Sequence, residues 1–161
     1  MTEDKQTSVP PLTPKRIIYP PLWLVIAVVA MFILNTYFPG YRYTSSVWQM
    51  VGGLVIFAGL LLLVWAGGLF KKADNDLRPF KDIKALVNSG IYRFTRNPMY
   101  LGLALILLGC ALTTGALSTL LVVPAFMLVI QFRFIVYEER MLTELFGGEY
   151  RAYCKRVRRW V

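Results

Sequence analysis

Residues 97–132, NPMYLGLALILLGCALTTGALSTLLVVPAFMLVIQF, decide the fold because these 36 residues contain no charged side chain. A helix needs about 20 apolar residues to cross the hydrocarbon core of a bilayer, so the stretch is long enough for two crossings. Small and polar residues near its middle suit a tight turn: Thr113, Thr114, Gly115 and Ser118. The sequence therefore predicts a helical hairpin with antiparallel spans at about 99–112 and 117–137.

Two further charge-free stretches, residues 17–41 and 43–70, predict one span each, at about 22–38 and 47–69. The composition agrees with this, because 57% of the 161 residues are apolar and the mean hydropathy is +0.53. A soluble protein with buried helices of this kind would need a much larger polar shell. We expect an all-α polytopic membrane protein with about four transmembrane helices, a C-terminal helical hairpin and a cytoplasmic amphipathic C-terminal helix.

The polar, proline-rich residues 1–16 predict a mobile N-terminal tail, followed by a single membrane domain over residues 17–161. The first span starts about twenty residues from Met1 and has no cleavage site after it, so we interpret it as a retained anchor. Cytoplasmic segments are expected at 71–98 and 138–161.

Lysine and arginine are distributed asymmetrically around the predicted spans. The segments before span one, between spans two and three, and after span four hold three, seven and seven of them, whereas the other two loops hold one and none. Positively charged loops are retained in the cytoplasm, so both termini are predicted to be cytoplasmic, in the inner membrane if the source is prokaryotic. The net charge of +9 is then an orientation signal. Nucleic-acid binding is the rival interpretation, but the basic residues flank spans and form no separate domain.

Several function classes are excluded or disfavoured by residues that the chain lacks. It contains no histidine, which excludes histidine metal sites and serine–histidine or cysteine–histidine catalysis, and no metal cofactor is expected. The three charge-free stretches that form the predicted spans hold no ionisable carboxylate or basic group, and only Arg133 lies at the end of the fourth span, which disfavours a proton-coupled transporter. Cys110 and Cys154 are expected to be unpaired, because a disulfide would join a position within the bilayer to a reducing compartment.

Apolar residues also recur at helical spacing outside the spans. Phe80, Ile83, Leu86 and Val87 predict a short amphipathic piece on the membrane surface, with a turn at 88–90. After the fourth span a helical stripe is expected from Leu142, Leu145, Phe146, Tyr150, Tyr153 and Val157. The basic residues beside that stripe are predicted to face lipid phosphates: Arg151, Lys155, Arg156, Arg158 and Arg159.

Two polar clusters lie at the cytoplasmic ends of the hairpin. One comprises Tyr92, Arg93, Arg96, Asn97 and Tyr100, and the other comprises Arg133, Glu138, Glu139 and Arg140. Because the two helices of a hairpin are antiparallel, the clusters are predicted to meet at the mouth of an apolar cleft. The alternative is that Arg96 merely pairs with Glu138 or Glu139 at a helix end.

The run from Leu86 to Gly102, LVNSGIYRFTRNPMYLG, followed by Glu138-Glu139, Leu142, Phe146-Gly147, Glu149-Tyr150 and Tyr153, resembles the isoprenylcysteine carboxyl methyltransferase and phospholipid methyltransferase superfamily. The resemblance covers roughly residues 70–160 in order and spacing. It implies an integral-membrane enzyme that moves a methyl group from S-adenosylmethionine to a lipid-like or small apolar acceptor, such as an isoprenylcysteine carboxylate. It does not specify the acceptor.

Carried over by position, the resemblance also implies site residues. The cofactor-binding positions are Lys84, Ala85, Leu86, Val87, Tyr92, Asn97, Pro98, Met99, Tyr100, Glu138 and Glu139. Many relatives have histidine where this chain has Asn97, so no imidazole acts there. Arg133 is the nearest match to an acceptor-binding arginine.

Arg96, Glu138 and Tyr100 are the candidate catalytic residues, because their side chains suit the donor. An arginine can pair with the cofactor's carboxylate, a carboxylate can bind its ammonium or ribose, and an aromatic face suits a sulfonium. A thiolate or carboxylate acceptor needs no strong base, whereas an ammonium acceptor needs Glu138, Glu139 or Tyr100 to take a proton. One alternative is a non-catalytic membrane scaffold or a relative that has lost its activity. Another is a nicotinamide-dependent membrane reductase, but the sequence has no glycine-rich phosphate loop to support it.

Overall fold

The computed structural model describes residues 19–73 and 84–161, and within these ranges the regular structure is helical. The α-helices are α1 (Pro20–Tyr37), α2 (Ser46–Lys72), α3 (Pro98–Thr114), α4 (Leu117–Leu120), α5 (Val122–Ile130) and α6 (Val136–Arg156). A 3-10 turn covers Gly90–Arg93 and a π-helical segment covers Gln131–Ile135. The all-α fold prediction is confirmed, and the predicted tail at 1–16 lies outside the described residues.

Three helical stretches are long and apolar enough to cross a membrane: Pro20–Tyr37, Ser46–Lys72 and the continuous run Leu117–Arg156. The remaining apolar helix, α3, has 17 residues. Large apolar side chains on α1 and α2 face outward, with Phe32 70% and Val64 73% exposed. Such a surface suits lipid contact and would be costly in water, which agrees with a polytopic membrane protein.

The hairpin turn forms at the predicted position. Gly115 ends α3 with a φ of +66°, a left-handed conformation that favours glycine. The loop between α1 and α2 closes over this turn, because the Tyr43 amide donates to the Gly115 carbonyl (2.9 Å) and the Leu117 amide donates to the Tyr41 carbonyl (3.0 Å). This "turn end" of the bundle is therefore fixed by backbone hydrogen bonds.

Helices α2 and α3 are antiparallel and approach closely through glycines. A Cβ atom added to Gly59 would lie 2.8 Å from the Gly102 carbonyl oxygen, and one added to Gly109 would lie 2.6 Å from the Gly52 carbonyl oxygen. Gly52 and Gly59 are seven residues apart, as are Gly102 and Gly109. Small residues at such spacing let two helix backbones pack directly, as is usual where lipid provides no hydrophobic drive between helices.

Helix α1 packs against α3, α4 and α5, and α3 therefore contacts both α1 and α2. The apolar core lies among α1, α3 and α5 and is centred on side chains with no exposure: Leu107, Ala111 and Ile130. This arrangement leaves the ends of α1 and α2 that carry Pro20 and Phe70 on either side of the start of α3. We call this the basic end of the bundle, because Lys72 and Arg96 lie there.

The π-helical segment and a backbone break shape the last helix. A π segment shifts the register of the side chains that follow it, and such segments occur often at functional sites. Gly147 has a φ of +49° and a ψ of −113°, so α6 changes direction there. The second half of α6 then packs Tyr150 and Tyr153 against Leu86 and Leu142 in a small core of its own.

The prediction of an amphipathic piece at Phe80–Val87 is wrong in its described part. Residues 84–89 are irregular, and Phe80 and Ile83 lie outside the described residues. Leu86 packs against the core formed by Tyr150, Tyr153 and Val157. Burial in that core replaces the surface helix that the spacing suggested.

Candidate functional site

A cavity of about 460 Å³ lies at the basic end of the bundle, and we call it the main cavity. The first group of lining residues comes from the helix ends and is apolar or aromatic: Tyr19, Pro20, Pro21, Leu63, Gly67, Phe70 and Leu103. The second group comes from 85–100 and α6: Ala85, Leu86, Val87, Tyr92, Arg96, Asn97, Pro98, Met99, Tyr100, Glu138, Glu139, Leu142, Tyr150 and Tyr153. The volume of the main cavity falls within the range of about 300–1,000 Å³ typical of small-molecule sites.

A network of three charged side chains lies beside this cavity, and two of them, Arg96 and Glu139, line it. Arg159 binds Glu139 with two hydrogen bonds, Nε to Oε1 at 2.9 Å and Nη2 to Oε2 at 2.6 Å. Arg96 Nη1 lies 3.2 Å from the same Oε1. The prediction that Arg159 faces lipid phosphates is therefore wrong, because a two-pronged bond to a carboxylate holds it inward. The same bonds raise the pKa of Arg159 above its ordinary value.

One polar atom of Arg96 has no partner in the part of the chain that the structure describes. Its Nη1 donates to Cys154 Sγ at 2.6 Å as well as facing Glu139. Its Nε is buried and has no hydrogen-bond partner among the described residues. A buried guanidinium N–H that is left unpaired is costly, so this atom is an expected attachment point for an acceptor group on a ligand.

Glu138 does not share the arginine network. It accepts a hydrogen bond from the Tyr100 hydroxyl at 2.7 Å, and within the described ranges no basic side chain forms an ion pair with it. The two adjacent glutamates are thus divided, one neutralised by two arginines and the other held by a tyrosine. Pairing of Arg96 at a helix end therefore accounts for Glu139 but not for the part-buried hydrogen bond between Tyr100 and Glu138, which both line the cavity.

Two tyrosines connect the 3-10 turn to the helices around it. Tyr153 donates its hydroxyl to the Tyr92 carbonyl at 2.6 Å, and Tyr92 donates its own to the Ala66 carbonyl at 3.4 Å. The Tyr92 ring stacks on Phe70, with ring centres 6.4 Å apart. Burial raises the pKa of the Tyr92 hydroxyl well above its usual range, with Tyr153 and Glu138 adding to the effect, so this hydroxyl stays neutral.

Asn97 is held by the backbone of residues 157–160. Its Nδ2 donates to the Arg159 carbonyl at 2.9 Å, and the Thr95 hydroxyl donates to the same carbonyl at 3.3 Å. The side-chain amide of Asn97 already binds the Arg159 carbonyl, so in this structure Asn97 orients the loop before α3. A direct contact between this amide and a cofactor stays a prediction.

The structure brings most of the sequence-predicted site residues to one place. Of those positions, all line the main cavity except Lys84 and Arg133, which are exposed within the described ranges. Arg133 lies in the π-helical segment, on the face turned away from Phe134 and Ile135. Sequence reasoning missed the lining residues Tyr19, Pro20 and Phe70, which carry no charge that would mark them. It also missed Arg159, whose carboxylate partner is 20 residues away.

A polytopic helical bundle with a largely apolar cavity at one end of its helices, lined also by a few charged side chains, defines a class of membrane protein with a candidate small-molecule site. A sequence profile of the phospholipid methyltransferase family matches residues 47–149, which is more than half of the chain. This protein therefore belongs to the phospholipid methyltransferase family, and the family resemblance inferred above is confirmed. The family implies methyltransferase activity.

The chain is also similar to an uncharacterized protein of Haemophilus influenzae (strain ATCC 51907 / DSM 11121 / KW20 / Rd). The two are 48% identical over 63 residues, which make up 39% of this chain and 100% of that protein. The description of that protein names no activity, so the similarity adds nothing on the substrate.

Proposed function

We propose that this protein is a methyltransferase that uses S-adenosylmethionine and acts on a lipid-like or small apolar acceptor at the cytoplasmic face of the membrane. One observation carries the proposal. Arg96, whose Nε has no partner among the described residues, and the hydrogen-bonded side chains of Glu138 and Tyr100 line the same cavity, in a chain of a methyltransferase family. The basic residues at this end of the bundle support its cytoplasmic position.

The side chains around the cavity fit this cofactor in kind. Arg96 offers a buried N–H donor for the carboxylate of the cofactor's amino acid. Glu138 offers a carboxylate that has no basic partner within the described ranges, which suits an ammonium or ribose hydroxyl group. Tyr92 and Phe70 present stacked aromatic rings beside the cavity, and an aromatic face favours a sulfonium cation.

When bound, S-adenosylmethionine supplies a methyl group whose bond to sulfur breaks as the bond to the acceptor forms, leaving a neutral thioether. The protein's task is therefore alignment and exclusion of water. Tyr100 and Glu138 fix each other through their 2.7 Å hydrogen bond, which gives the polar end of the cavity a defined geometry. The apolar lining from Leu63, Leu103 and Leu142 excludes water from the rest.

The position of the cavity supports an acceptor that arrives from the bilayer. Pro20 and Pro21 of α1 and Leu63 and Phe70 of α2 line it from two sides. These helices also present exposed apolar side chains to their surroundings. An apolar acceptor can enter between them while the cofactor arrives from the aqueous side, so we propose a lipid-like acceptor over a water-soluble one.

The same geometry divides acceptors by their need for a base. A carboxylate or thiolate acceptor is already a nucleophile and transfers no proton to the protein. A protonated amine must lose a proton first, and Glu138 is the carboxylate placed to take it, because Glu139 is neutralised by Arg96 and Arg159. Either class is compatible with the cavity.

Titration calorimetry of the purified protein with S-adenosylmethionine tests cofactor binding. We expect Arg96→Ala and Glu138→Gln each to weaken binding by about tenfold or more, the usual effect of losing a hydrogen bond to a charged group. Glu149→Gln is the matched control, because Glu149 lies on the same helix and is exposed. Absence of binding by the unaltered protein would overturn the proposal and favour a non-catalytic membrane scaffold.

The acceptor is identified by incubating membranes that contain the protein with cofactor carrying a labelled methyl group. We expect label in a lipid or lipid-modified fraction, and none when Glu138→Gln is used. Label confined to water-soluble products would contradict the lipid-like acceptor while leaving the methyltransferase activity in place.

A further inference from the structure

We propose that Arg159 is a positioning residue that keeps Arg96 available to the carboxylate of the ligand by binding Glu139. The inference rests on the proposed function, because the ligand considered is S-adenosylmethionine. Nothing in the sequence around Arg159 indicates such a role, since it lies in a run of exposed basic residues.

Arg159 is the main partner of Glu139. Arg159 contacts both of its carboxylate oxygens, at 2.9 Å and 2.6 Å. Arg96 shares only one of those oxygens, at 3.2 Å from Nη1. The two-pronged partner of Glu139 is therefore Arg159, and Arg96 is its secondary partner.

Arg96 and Arg159 compete for the carboxylate of Glu139. A carboxylate facing a single guanidinium tends to form a two-pronged pair with it. Without Arg159, Glu139 would be free to form that two-pronged pair with Arg96. The pair would occupy N–H donors of Arg96 that do not bind Glu139 in this structure. With Arg159 in place, the Nε of Arg96, a residue that lines the cavity, has no hydrogen-bond partner within 19–73 and 84–161.

The charges of Arg96, Glu139 and Arg159 also support this role. Glu139 with Arg96 alone is a neutral pair, whereas Arg96, Glu139 and Arg159 together carry one net positive charge beside the cavity. That surplus charge favours an anionic group on a ligand and would be lost with Arg159.

The backbone around Arg159 is anchored without its side chain. The Arg158 carbonyl accepts from the Arg96 amide at 3.0 Å, and the Arg159 carbonyl accepts from Asn97 Nδ2 at 2.9 Å. Trp160 Nε1 donates to Gln131 Oε1 at 3.0 Å. Truncating the Arg159 side chain is therefore expected to leave the 157–160 segment in place, so its effect reports on the charge network.

The experiment measures the affinity of the purified protein for S-adenosylmethionine and for its decarboxylated analogue. We expect Arg159→Ala to weaken binding of the first by about tenfold, as for loss of one hydrogen bond to a charged group. Binding of the analogue should stay within about twofold, because it lacks the carboxylate that Arg96 receives. Arg158→Ala is the matched control, since Arg158 is the exposed neighbour and loses the same charge.

A double-mutant cycle separates positioning from a structural effect. In an Arg96→Ala background, Arg159→Ala should cause no further loss of affinity, because the residue through which it acts is gone. Arg159→Lys should restore part of the affinity, because it returns the charge without the two-pronged geometry.

Each outcome decides between distinct conclusions. If the unaltered protein binds no S-adenosylmethionine, the proposed function fails. If it binds, and Arg159→Ala behaves like Arg158→Ala or weakens both ligands equally, the positioning role is overturned and the proposed function stands.

Discussion

Replacing Gly59 with alanine tests whether the close contact between α2 and α3 holds the main cavity in shape. The added Cβ would lie 2.8 Å from the Gly102 carbonyl oxygen and 2.9 Å from the Ile106 amide nitrogen. Both atoms belong to the backbone of α3, so no side chain can rotate away to make room. Helix α2 must therefore move away from α3.

Two opposing terms set the expected size of the effect. Overpacking of a tight contact costs about 1–3 kcal/mol, and backbone neighbours place Gly59 in the upper half of that range. Alanine in place of glycine within a helix returns about 0.8–1 kcal/mol. The net loss in the free energy of unfolding is about 1–2 kcal/mol, which lowers the unfolding midpoint by roughly 2–8 °C in a chain of this size.

Thermal unfolding in detergent measures this difference against Gly53→Ala. Gly53 lies on the same helix and its added Cβ would have no atom within 4 Å, so its midpoint should stay unchanged or rise. We also expect Gly59→Ala to weaken S-adenosylmethionine binding, because Leu63 and Phe70 line the cavity from the same helix. Equal midpoints for the two variants would refute the packing argument.

Three further substitutions address single contacts at the basic end. Glu139→Gln should lower the free energy of unfolding by about 1.5–3 kcal/mol in thermal unfolding, because Arg96 and Arg159 both lose their carboxylate; an unchanged midpoint would contradict this. Tyr153→Phe should cost about 1 kcal/mol by removing the hydrogen bond to the Tyr92 carbonyl, and chemical unfolding shows whether it does. Burial raises the pKa of Tyr92, so its contribution to stability is present below about pH 10 and lost as pH rises beyond it. Tyr92→Phe should therefore unfold with a flatter pH dependence above pH 10 than the unaltered protein, and parallel curves would argue against this assignment.

The sequence predicts the membrane architecture well because charge is the dominant cost in a bilayer. The predicted span at 47–69 corresponds to α2 at Ser46–Lys72, and the hairpin turn forms at Gly115. Hydrophobic length and the lack of charged residues determine these elements without reference to any other part of the chain. Loop position is fixed in the same way, because small polar residues interrupt an apolar run.

Predictions that depended on a partner distant in sequence were less complete. The sequence predicts that Arg159 faces lipid phosphates, because it lies among basic residues beside an apolar stripe, but in the structure it binds Glu139. The spacing of Leu86 predicts a surface helix, but in the structure Leu86 packs against Tyr150 and Tyr153. Helical periodicity indicates which residues share a face of a helix, but it does not indicate which other residues that face packs against.

What the sequence determined by itself is the set of spans, the antiparallel hairpin and the family. It also indicated that Arg96, Tyr100 and Glu138 come together, because the start of α3 and the start of α6 must be neighbours. Only the tertiary structure decided how the two glutamates differ. Glu139 is neutralised by two arginines and Glu138 is held by Tyr100. The physical reason is that adjacent, identical side chains point in different directions from a helix, so their partners depend on packing that no local pattern encodes.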